Sequence, residues 1–130
     1  LPDSVLAINT FAFEGCQHLK TAHWSESLQY TAGYTFSGCP SLESVNIPDT
    51  LDSISIGMFQ GCAKLKEINF PKSLKSIESH SFVGCISLKK CNRLHFRLHF
   101  VFEIASVFYL ASGQYRMRLL LFLRQIYPAE

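Results

Sequence analysis

The sequence has few charges, few cysteines and no long apolar run, and each shortage excludes a class of protein. Charged residues make up 17% of the 130 residues and the formal net charge is +2, too small a basic excess to indicate nucleic-acid binding. Five cysteines, an odd number, are too few for a disulfide-dense scaffold. No segment reaches about 18 uninterrupted apolar residues, so we expect no membrane-spanning helix.

Apolar residues are plentiful all the same. Hydrophobic residues make up 48% of the chain and aromatic residues 13%, which is enough to bury the core of about one domain. The first residue is Leu1 and not methionine, so we expect a fragment or a processed product. A missing signal peptide therefore says nothing about secretion.

A repeat of 23 residues organises the first part of the chain. Phe-Glu-Gly-Cys at 13–16 recurs as Phe-Ser-Gly-Cys at 36–39, Phe-Gln-Gly-Cys at 59–62 and Phe-Val-Gly-Cys at 82–85. A period of this length is typical of leucine-rich repeats, in which each unit is one coil of a solenoid and buries its apolar face only by stacking on its neighbours. The predicted units are residues 1–23, 24–46, 47–69 and 70–92, followed by a non-repeating tail at 93–130.

Each unit is predicted to hold a strand, a second extended piece and a tight turn. In the strand at 45–47, alternation points Val45 and Ile47 inward and Asn46 outward, and Pro48 ends the strand. The second extended piece is expected at 50–54 and again at 73–77. The Phe-x-Gly-Cys stretch is expected to form a tight turn or a single helical turn, with its glycine at positive φ.

The unit with Ile-Pro-Asp-Thr-Leu at 47–51, Ile54, Phe-Gln-Gly-Cys at 59–62, Leu65 and Ile-Asn-Phe at 68–70 resembles the BspA-type leucine-rich repeat. The resemblance covers residues 1 to about 92. It implies a right-handed, α/β-type solenoid of four coils with mostly short strands and turns. It also implies a non-catalytic protein-binding module of a cell-surface or secreted adhesion protein, whose partner is a host or matrix protein or a glycan.

The second unit departs most from this pattern. Trp24 and Ser25 replace Ile-Pro, Thr31 replaces the inward Ile, and just before this unit Ala22 replaces Val. These replacements predict a locally wider or looser coil.

The cysteines and histidines carry no recognisable catalytic or metal-binding pattern. Cys16, Cys39, Cys62 and Cys85 share one repeat position, so they are expected to form a buried column with rungs about 5 Å apart. A linear column cannot close a tetrahedral metal site. Cys16 and His18 resemble half of a metal site, but the second pair of ligands is missing. We therefore expect no metal, no cofactor and no enzyme activity.

Outward polar residues of the strand face form columns from unit to unit, and these are the candidate partner-binding residues. The candidates are Lys20, Thr21, His23, Glu43, Ser44, Asn46, Lys66, Glu67 and Asn69, with Lys89, Lys90 and Asn92 continuing the columns. Solenoids use such a regular face to hold partners. The alternative is that the columns only solvate the sheet and that the coils are structural spacers in a longer array.

The tail at 93–130 differs in composition. All seven lysines precede Arg93, and all five arginines lie at or after it. Alternation of apolar and polar residues predicts a hairpin that caps the solenoid, and a helix from about Gln114 to Tyr127 is the competing interpretation. Association with a membrane surface and an out-of-frame or spliced-on origin also stay open.

Overall fold

The computed structural model describes residues 1–88 and 90–91, and this part of the chain consists of short strands joined by turns. The strands are β1 Ala7–Ile8, β2 Thr21–Ala22, β3 Tyr30–Thr31, β4 Ser44–Asn46, β5 Ser53–Ile54, β6 Glu67–Asn69, β7 Ser76–Ile77 and β8 Lys90–Cys91. They form one sheet in the order β2-β4-β6-β8 and two smaller sheets, β1-β3 and β5-β7. Every pairing is parallel.

The strand pairs confirm a stack of coils. Val45 pairs with Ile68, and Ile68 pairs with Cys91, so these strands lie beside the segments found 23 residues further along. The pairs do not determine where a unit begins, so the predicted unit bounds stay a prediction, as does the handedness. The residues at 1–88 and 90–91 contain no helix, so nothing there supports the α part of the predicted α/β-type units.

Side-chain alternation along the strands agrees with the sequence. Val45 is 3% exposed and Ile47 6%, while Asn46 is exposed. The strand itself is shifted, because β4 begins at Ser44 and ends before Ile47. The second extended piece is shorter than predicted: the Leu51 N–H donates to the Pro48 carbonyl at 3.1 Å, and this turn takes up the first part of the 50–54 stretch.

A ladder of stacked phenylalanines forms the centre of the core. The ring centroid of Phe36 lies 5.2 Å from that of Phe13 and 5.9 Å from that of Phe59. The centroids of Phe59 and Phe82 are 5.6 Å apart. The rings are close to parallel because one repeat position is stacked on itself. Leu42, Leu65 and Ile68 fill the space beside them, with no exposed surface.

The turn after each phenylalanine has the predicted glycine geometry. The four glycines of the Phe-x-Gly-Cys stretch have φ between 66° and 79°, a region that other residues enter only at a cost. Backbone bonds link these turns from coil to coil as well: the Phe13 N–H donates to Thr35 O and the Phe36 N–H to Met58 O, both at 2.9 Å.

A second repeat position also takes positive φ, and sequence reasoning missed it. Phe11, Tyr34, Gly57 and His80 lie 23 residues apart and have φ between 57° and 62°. Three of them are bulky residues in a region that disfavours side chains, so no recurring glycine reveals the position. The Tyr34 ring lies against Gly57, where an added Cβ would be 2.2 Å from a ring carbon.

The predicted looseness of the second unit coincides with a break in the second column of strands. β1 pairs with β3 and β5 with β7, but β3 does not pair with β5. At this break the buried Ser55 hydroxyl donates to the Thr31 carbonyl, and the hydroxyl oxygens of the two residues lie 3.2 Å apart. A side chain thus supplies the hydrogen bond that a strand ladder would have made.

Within residues 1–88 and 90–91, no helix has the length and apolar composition that crossing a membrane requires. The predictions made for 93–130, and those for the side chains of Lys89, Lys90 and Asn92, lie outside the described residues.

Replacing Phe59 with alanine should remove one rung of the ladder and lower the free energy of unfolding by about 3–5 kcal/mol. Phe59 has no exposed surface and is stacked on both sides. Phe11→Ala is the matched control, because Phe11 is 50% exposed, and it should cost about 1 kcal/mol or less. Urea denaturation measures both; equal losses would contradict the ladder as the main stabilising contact.

Replacing Gly57 with alanine should cost about 2–3 kcal/mol, because it combines a strained φ with overpacking against the Tyr34 ring. Gly15→Ala is the control, since Gly15 has φ +67° but nothing within 4 Å of an added Cβ. It should cost only the strain of about 1 kcal/mol. If thermal denaturation shows a larger loss of stability for Gly15→Ala than for Gly57→Ala, the predicted overpacking against the Tyr34 ring is wrong.

Candidate functional site

A groove of about 580 Å³ runs along strands β2, β4 and β6 and the residues that follow them. Its floor is Ala22, Ile47 and Phe70, and its walls are mostly polar. The wall residues are Thr21, His23, Trp24, Glu26, Ser44, Asn46, Pro48, Asp49, Asn69 and Lys72. A groove of this size is within the range of ligand sites.

Six of the nine predicted candidates lie on or directly after the strands, and Lys20, Glu43 and Lys66 lie directly before them. Only some of the nine line the groove. Five line it: Thr21, His23, Ser44, Asn46 and Asn69. The other four are Lys20, Glu43, Lys66 and Glu67. The pairing of Thr21 with Ser44 and of Ser44 with Glu67 agrees with the predicted column.

The column of Lys20, Glu43 and Lys66 precedes the strands and is also aligned. The Glu43 N–H donates to Lys20 O, and the Lys66 N–H donates to Glu43 O, both at 2.9 Å. The charges along this column alternate in sign, as the sequence predicts. The backbone therefore aligns this column from coil to coil.

One pair of candidates is also a structural contact. The Asn69 side-chain amide donates to the side-chain oxygen of Asn46, and both residues are exposed. This bond supports the interpretation that polar columns satisfy each other. It still leaves hydrogen-bonding groups of both amides for solvent or a ligand.

Four groove residues were missed as candidates: Trp24, Glu26, Asp49 and Lys72. Glu26, Asp49 and Lys72 share one repeat position, three residues beyond the position of His23, so the same period would have found them. They lie beyond the predicted columns of the strand face, and in the sequence Trp24 stands out only as a departure from the repeat. In the structure these residues form the groove wall beyond the ends of the strands.

Trp24 forms a half-buried aromatic wall. Its indole packs edge-on against Phe36, with ring centroids 5.2 Å apart and planes at 68°. Its Nε1 is buried and has no hydrogen-bond partner within the described residues. Trp24 also lines a second pocket of about 230 Å³, together with Leu19 and Ala22. Since alanine is smaller than the Val45 and Ile68 of the same repeat position, the space agrees with the predicted loose coil.

The cysteine column is structural in the part of the chain that is described. The thiols of Cys39, Cys62 and Cys85 donate to the carbonyl oxygens of phenylalanines 26 residues earlier, at 3.1–3.2 Å. Burial raises the pKa of Cys62 to about 12 and that of Cys85 well above its ordinary value. No group of three or more metal-ligating side chains occurs in residues 1–88 and 90–91. Protonated, hydrogen-bonded thiols are poor nucleophiles.

Known proteins share this repeat. The sequence pattern described as BspA type Leucine rich repeat region matches residues 1–96 in six copies, a different count from the four units that the period predicts. A leucine-rich cell surface protein from Faecalibacterium prausnitzii is similar in structure, with 22% identity, a TM-score of 0.70, and coverage of 92% of this chain and 33% of that chain. At this identity the likeness shows the fold alone.

A leucine-rich repeat protein from Bacteroides ovatus has 29% identity and a TM-score of 0.63, and the match covers 72% of this chain and 30% of that chain. The chain thus spans about a third of the length of these two proteins. Among curated proteins, none matches the chain.

The buried thiol of Cys62 should make stability fall at alkaline pH. The unfolded chain releases this proton near its ordinary pKa of about 9, whereas the folded chain keeps it up to a pKa of about 12. The stabilisation is therefore complete below pH 9 and is lost as the pH rises through this window. In denaturation curves between pH 9.5 and 11, the free energy of unfolding should fall about 1.4 kcal/mol per pH unit more steeply for the parent chain than for Cys62→Ala. Parallel pH dependences would contradict the burial of the thiol.

Proposed function

Because the chain belongs to the BspA-type leucine-rich repeat family, we propose that it is a non-catalytic protein-binding module of a cell-surface or secreted adhesion protein. The observation that carries the proposal is the groove of about 580 Å³ along β2, β4 and β6. The similar Faecalibacterium prausnitzii protein is described as a cell surface protein, which supports the location.

The groove has the composition of a binding surface. It combines an aromatic wall, Trp24, with amides at Asn46 and Asn69 and charges of both signs. Tryptophan is enriched among residues that dominate binding energy, while amides and charges supply directional contacts around it. Stacked coils hold Asn46 and Asn69 on parallel strands, so little backbone ordering is needed at these two positions when a partner binds.

A spacer role is the alternative, and the contact between Asn46 and Asn69 favours it. A polar column that satisfies itself can stabilise a coil without any partner. In that case these coils separate recognition sites located elsewhere in a longer array. The proposed partner class is a protein, such as a host or matrix protein; a glycan is the other class that this polar face suits.

Replacing three groove residues together, His23→Ala, Asn46→Ala and Asn69→Ala, should weaken binding of the full chain to its matrix-protein partner at least about tenfold. A panel of purified, immobilised extracellular-matrix proteins is the probe, and surface plasmon resonance is the measurement. The groove variant should retain the strand pairs, since it changes only outward side chains, and circular dichroism checks this.

A matched control changes three exposed residues that do not line the groove: Glu14→Ala, His18→Ala and Lys64→Ala. The control should bind like the parent. If the parent binds no member of the panel, the spacer role is favoured. If the groove variant binds as well as the parent, the partner site lies elsewhere.

A further inference from the structure

The charges of the groove are divided between its two ends. Glu26, Asp49 and Lys72 occupy one repeat position in three successive coils, and all three side chains are exposed in the groove. The first two rungs are therefore acidic and the third is basic. Trp24 lies at the acidic end, two residues before Glu26.

Neither carboxylate is paired with a cation in the part of the chain that the structure describes. Asp49 accepts a hydrogen bond from the Lys72 backbone N–H at 3.0 Å. Within the described residues Glu26 makes no side-chain hydrogen bond or ion pair. A positive charge from outside would thus give both carboxylates the ion pair that the described residues do not provide.

We propose that the acidic end of the groove holds an arginine side chain of the partner protein, with its guanidinium on the Trp24 indole and its N–H groups directed to Glu26 and Asp49. The inference rests on the proposed function and names the chemistry of its partner. Tryptophan is the best aromatic surface for a cation. The planar guanidinium can stack and pair with carboxylates at once, which a lysine ammonium does not do. Lys72 repels a second cation one rung further along, so the site selects a single arginine.

The composition of the chain makes a direct test possible. Trp24 is the only tryptophan in the 130 residues, so tryptophan fluorescence and the indole N–H signal in NMR report on this site alone. The full chain is titrated at low ionic strength with acetyl-Gly-Arg-Gly-amide. The same tripeptide with citrulline, which is a neutral isostere of arginine, is the matched comparison. A lysine tripeptide and a neutral glucose oligosaccharide complete the set.

We expect a saturable change at Trp24 with the arginine tripeptide and about tenfold weaker binding of the citrulline tripeptide, because the cation–π and ionic contacts are both lost. The double variant Glu26→Gln/Asp49→Asn should bind the arginine tripeptide more weakly than the parent, by a similar factor. The control Glu14→Gln/Asp3→Asn removes the same charges from exposed positions that do not line the groove and should bind like the parent.

Equal binding of the arginine and citrulline tripeptides would overturn the inference, and so would equal binding by the Glu26→Gln/Asp49→Asn variant and the parent. A response to the oligosaccharide alone would overturn it too and make the groove a sugar site. If no ligand changes the Trp24 signal, the arginine inference is wrong. Surface plasmon resonance with the panel of matrix proteins, on the same sample, then tests the proposed function separately.

Discussion

Backbone hydrogen bonds between residues about 23 positions apart hold the coils together, and every other feature depends on that register. The strands are only two or three residues long, too short to be stable alone. They persist because the turns bond from coil to coil as well, as Phe13 does with Thr35. Once the backbone is aligned in this way, each repeat position must stack on its own kind, and the phenylalanine ladder is the direct result.

The same alignment separates structural from functional positions. An inward position places identical side chains in a dry column, so Cys39, Cys62 and Cys85 become hydrogen-bonded thiols with raised pKa values. An outward position places its side chains in a column facing solvent, where Asn46 and Asn69 meet. A repeat thus places equivalent residues of successive units side by side on one surface. The residues that differ between units then decide what that surface recognises.

Period and alternation were sufficient to predict much of the fold. They predicted the burial of Val45 and Ile47 and the positive φ of the turn glycines, because both follow from local geometry and stacking. They did not predict the φ of Phe11 or Tyr34, since the coil backbone forces it on residues with no such preference. Nor did they separate the five candidates in the groove from the other four. That division does not follow the repeat, since Thr21 and Ser44 line the groove and Glu67 of the same column does not.

Trp24 shows why the departures from a repeat matter more for recognition than the repeat itself. The next two coils have Ile47 and Phe70 at this position, and both are buried. Trp24 is only half-buried, and it lines a second pocket together with the neighbouring Ala22. The ring therefore stands half-buried between two pockets, supported by the edge contact with Phe36. Phe36 of this coil is buried, like Phe59 and Phe82 of the next two, so the ladder continues through the imperfect coil. Trp24 of that coil lines the groove together with Glu26 and Asp49.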